Sequence, residues 1–172
     1  MVRTAPHAAP GDAPVGLRLR LAALVYEATL LFGVVFGASY LLIAATGWTY
    51  PLPRAQRWIL QLVVFVVVGS YFVYCWTHGG QTLALKAWRL RVARADGASL
   101  RLHQAILRYL LAWHLFLPGL ISILLFPATP WLNLAALVLG MLGMLALIYV
   151  DPQRQAVHDR LLGTRLLRVP PR

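Results

Sequence analysis

Glu27 stands inside an apolar run from Leu17 to Ala45 and is the only acid within any of the chain's long apolar stretches. An ionisable group at such depth costs several kcal/mol unless it is paired, wetted or protonated. Two readings meet that cost. One is structural, with the acid paired or hydrogen-bonded to hold helices together; the other is functional, with the carboxylate binding a proton or cation. Arg20 lies two helical turns earlier on the same face, about 10 Å away along the axis. Side chains on a helix lean the same way, so direct contact between the two is not expected. Arg108, at the start of a later apolar run, is the preferred partner of Glu27; the alternative is that it snorkels to the interface. His158-Asp159 could relay a proton or orient a base, but neighbouring helical residues face different directions and no nucleophile accompanies them. Asp159 is therefore expected to pair with one of the surrounding arginines.

The remaining candidates offer less. His78, His103 and His114 are scattered without matching acids or cysteines, so no metal site is expected. A single cysteine, Cys75, excludes an intrachain disulfide. Gly80-Gln81-Thr82 lacks the spacing of a phosphate-binding loop. No catalytic residue and no cofactor is expected, and the chain reads as a non-enzyme.

Elements that could carry these residues follow from hydropathy. The 172 residues are 60% apolar, with a mean hydropathy of +0.69, above what soluble domains show. Two spans are expected at about 19–45 and 58–77, with Trp48, Tyr50 and Trp58 around Pro51-Leu52-Pro53 at an interface. From Tyr109 to Val150 no charge occurs, about twice the ~20 residues one span needs. A break at Phe126-Pro127-Ala128-Thr129-Pro130 divides it into spans at about 104–126 and 131–150, with Pro118-Gly119 as a kink. Residues 1–16, rich in proline and glycine, read as a disordered cytoplasmic tail, and 17–172 as one transmembrane domain.

The net charge of +11 would suggest nucleic acid in a soluble chain. Here the charges lie between apolar runs, where they report orientation and contact with anionic headgroups, and no nucleic-acid binding is expected. One side carries Arg3, Arg18 and Arg20; Lys86, Arg89, Arg91, Arg94, Arg101 and Arg108; and Arg154, Arg160, Arg165, Arg168 and Arg172. The other carries Arg54 and Arg57. This predicts four spans with both ends cytoplasmic. Between spans two and three, Trp88 to Val92 and Leu100 to Leu102 alternate around Asp96-Gly97, which favours a short hairpin; an amphipathic helix through Leu83, Ala87 and Leu90 is the competitor. Gly33 and Gly37, spaced for close helix approach, are expected to pack within the chain in preference to forming a dimer.

Three stretches, between about Val15 and Val169, resemble the RDD family of small bacterial membrane proteins, named for an arginine and two aspartates. They are Arg20 with Glu27; Gly80-Gln81-Thr82 continuing through Lys86, Arg91, Asp96-Gly97 and Arg108; and Arg154 to Thr164 with His158-Asp159. Glu27 replaces the first aspartate, and Ala84 stands where a second glycine is usual. The resemblance implies an all-α, multi-pass protein of the bacterial inner membrane. Transport has been proposed for the family. Two functions are therefore weighed: transport of an ion or small solute with Glu27 as the ionisable site, which four helices would best serve as a homo-oligomer, and a non-catalytic membrane scaffold or interaction module.

Overall fold

The computed structural model of the chain describes residues 15–126, 129–150 and 157–169. Helix α1 spans Leu17–Thr46 and stops where Gly47 takes a left-handed conformation (φ 66°), as glycine does at helix C-termini. Pro53 then precedes α2, Arg54–Thr77, and fixes an extended entry that starts the helix without a donor to satisfy. Among the described residues these two helices are long and apolar enough to cross a membrane, each with a window of mean hydropathy 2.1. Only 0% and 11% of those windows is buried within the protein. Phe32, Phe36, Tyr40, Trp58 and Leu62 face outward, a pattern suited to lipid rather than to water.

After α2 the chain folds tightly at one end of the bundle. A short helix α3, Leu83–Ala87, leads to strand β1, Leu90–Arg94, and a turn at Asp96-Gly97 returns the chain to α4, Leu102–Ala112. Gly97 adopts φ 81°, and the Ala98 N–H donates to the Asp96 carboxylate at 3.1 Å. The predicted hairpin is corrected here. Leu100-Arg101-Leu102 is no strand, because Gln104 Oε1 accepts the Arg101 N–H at 3.1 Å and starts α4 at Leu102. β1 pairs instead with β2, Thr164–Arg168, antiparallel from Leu90↔Arg168 to Arg94↔Thr164. The amphipathic helix is also only partial, ending at Ala87.

The third predicted span is broken. α4 gives way to a 3-10 turn at Trp113–Phe116 and then to α5, Leu117–Leu125, with Pro118 in its first turn, where the missing N–H has no cost. α6 spans Pro130–Val150, and α7 spans Val157–Leu162. Gly119 is a contact as well as a kink, since a Cβ there would meet the Leu137 side chain of α6 at 2.8 Å. Gly69 likewise admits the Tyr109 ring, whose hydroxyl donates to Phe65 O at 2.8 Å and ties α4 to α2. Gly33 and Gly37 do not do this. Among the described residues nothing lies within 4 Å of a Cβ at either, so the predicted packing inside the chain is corrected for the described part of the fold.

Two apolar clusters anchor the end where the sheet lies. Val68, Trp76, Val92, Leu100, Ala105 and Tyr109 form one, and Val15, Ala23 and Leu90 the other, with Leu166 of β2 packed on both. Of the tail predicted as disordered, residues 1–14 lie outside the described residues, and Val15 is buried against α1 and β1.

Candidate functional site

Gly80-Gln81-Thr82 earns its residue types from three separate contacts. Gly80 has φ 75° and sits so close to β1 that a Cβ would overlap Val92 O, so only glycine fits. Its carbonyl accepts the Val92 N–H at 2.7 Å, and its own N–H donates to Cys75 O at 3.0 Å. Gln81 Nε2 donates to Leu90 O at 2.7 Å. Thr82 caps α3 by accepting the Leu85 N–H at 3.2 Å, and its hydroxyl donates to Glu27 Oε2. Ala84, where a second glycine was weighed, is an ordinary buried helical residue in α3.

Glu27 is held by hydroxyls. Tyr71 OH donates to Oε1 at 2.9 Å while Thr82 donates to Oε2, so each carboxylate oxygen has a donor. No ion pair to Glu27 occurs among the described residues. The expected Glu27–Arg108 pair is therefore corrected. Tyr71, two turns from the end of α2, was missed by charge-based reasoning; its signal was a hydroxyl inside an apolar span at the depth of the acid.

Arg108 belongs to a second cluster. Its Nη1 donates to Asp159 Oδ1 and, at 2.8 Å, to Thr164 Oγ1, and Thr164 Oγ1 donates to Asp159 Oδ1 at 3.0 Å. All three residues are buried, at 6%, 2% and 0% exposure, so this pair is not a surface bridge of negligible worth. The guanidinium carbon also lies 5.1 Å from the Trp76 ring centroid, a cation–π distance. Arg20 donates from Nε to Val15 O at 3.1 Å and lies within Coulombic range of Asp159 and Arg108. The structure thus gathers Arg20, Arg108 and Asp159 and holds Glu27 apart. The side chain of His158 lies outside the described residues. Among those described, no group of three His, Cys, Asp or Glu gathers to hold a metal.

Long apolar helices with outward-facing aromatics, closed at one end by a polar cluster and a two-stranded sheet, define a helical membrane-type protein. The chain belongs to the RDD family, whose model matches residues 14–163. No curated protein and no solved structure matches it.

Proposed function

We propose that the chain is a four-span protein of the bacterial inner membrane that carries an ion or small solute, with Glu27 as its ionisable site. The carrying observation is a half-buried carboxylate with two hydroxyl donors and no cation beside it among the described residues. Hydroxyl donors would also serve an acid that only holds helices together, but they leave its charge without a fixed counter-ion among the described residues. One left to hydroxyls is free to exchange its counter-charge, as intramembrane acids on ion pathways do. Tyr71 and Thr82 hold the carboxylate, and since their oxygens already accept the Leu83 and Leu85 N–H groups, each keeps one lone pair for a cation. Reconstituted into proteoliposomes, the purified protein is expected to support flux, and Glu27→Gln to abolish it with little change in thermal stability. Unchanged flux in Glu27→Gln would sink this reading.

The span assignment rests on the charge-free stretch from Tyr109 to Val150 and on the uneven distribution of Lys and Arg. Reporters fused within 85–100 and after residue 172 are expected to be cytoplasmic, and one near Pro51 external. An external reporter in 85–100 would overturn the four-span topology. Anionic headgroups are the partner proposed for the exposed Arg89, Arg101, Arg160, Arg165 and Arg168. Because four helices leave little room for a pathway, the working form is proposed as a homo-oligomer, and the Gly33/Gly37 face, open among the described residues, suits close helix approach. The activity proposed is non-catalytic.

A further inference from the structure

The two polar clusters, though separate, are joined by an unbroken series of hydrogen bonds. Asp159 and Thr164 clasp Arg108 of α4 from either end of the α7–β2 connection. From Thr164 the strand β2 pairs residue for residue with β1. β1 in turn grips the turn before α3 twice, through Val92 N–H to Gly80 O and Leu90 O to Gln81 Nε2. The next residue, Thr82, holds Glu27. The β1–β2 and Gly80–Val92 links are backbone-defined, the Arg108 clasp is buried, the Gln81 and Thr82 links are half-buried, and the Gly80 link tolerates no Cβ, so the turn has little freedom to adjust alone.

We propose that the α7–β2 segment is a latch whose docking on Arg108 and β1 sets the hydroxyl geometry around Glu27 through the Gly80-Gln81-Thr82 turn. The latch regulates the site proposed above and rests on that reading of Glu27. When it is seated, Thr82 is pinned against the carboxylate. When it lifts, β1 loses its partner strand and the turn loses the framework that aims Thr82.

Cys75 reports the turn without engineering, being the only cysteine in the sequence and accepting the Gly80 N–H on its carbonyl. In the full-length purified protein, Thr164→Val removes the hydroxyl that clasps Arg108 without stranding a charge. It is expected to speed maleimide alkylation of Cys75 by roughly fivefold or more, the lower end of typical coupling between sites. The link runs in both directions, so Thr82→Val should also speed hydrogen exchange of the 164–168 amides. Thr164→Ser, which keeps the hydroxyl, should behave as the unmodified chain. Unchanged Cys75 alkylation in Thr164→Val would overturn the latch. So would faster exchange that extends equally to amides 30–46, since that would be general loosening. Neither readout uses transport, so a failed flux assay leaves the latch standing, and a failed latch test leaves the flux result intact.

Discussion

Asp159→Ala is expected to lower the unfolding free energy by about 3–5 kcal/mol, the cost of stranding one member of a buried ion pair. Arg108 is 6% exposed, its Nε has no partner among the described residues, and its Nη1 depends on Asp159 and Thr164. Without the carboxylate the guanidinium keeps, among the described residues, the Thr164 hydroxyl and the Trp76 ring, and a neutral acceptor cannot replace a counter-charge in so dry a place. Arg108→Ala should cost less, because Asp159 keeps the Thr164 hydroxyl and the nearby Arg20 when the guanidinium is removed. Thermal unfolding in detergent with each variant checks this. Losses within 1 kcal/mol of zero for both would mean that the pair is wetted or otherwise compensated.

Gly80→Ala should be as damaging for a different reason. A methyl group there would overlap Val92 O, a backbone atom that cannot rotate away, and φ 75° adds strain for any residue with a Cβ. Relief requires moving β1 off the turn, which breaks the Gly80–Val92 and Gln81–Leu90 bonds together. The expected loss is about 3 kcal/mol or more, in the range of strained-backbone substitutions that also break contacts. Faster proteolysis between α2 and α4 should accompany it.

What was legible in the sequence is what local pattern encodes. The first two apolar helices, the Asp96-Gly97 turn and a strand overlapping the Trp88 to Val92 alternation follow from hydropathy and turn chemistry. The partner of β1 did not follow. Thr164 to Arg168 is too short to carry a periodic signal, and its pairing is with a strand far away in the chain. The partner of Glu27 was missed because charge reasoning looks for a cation. Two hydroxyls, from Tyr71 in an apolar span and Thr82 in a turn, satisfy the carboxylate instead. Arg108 then went to Asp159, the acid that sequence reasoning had left with an unspecified arginine.

Separation of these two clusters is the central claim, and a pair of double-mutant cycles on Arg108 tests it most directly. Stability in detergent is measured for Arg108→Ala, Asp159→Ala and Glu27→Ala and for the two doubles that contain Arg108→Ala. The Arg108/Asp159 double should cost much less than the two singles added, with a coupling of about 1–3 kcal/mol, as for residues in one buried pair. The Arg108/Glu27 double should show a distinctly smaller coupling, no more than about 1 kcal/mol, the indirect contribution that a roughly fivefold latch effect carries. Additive losses for Arg108 with Asp159, or a strong coupling of Arg108 with Glu27, would contradict the arrangement described.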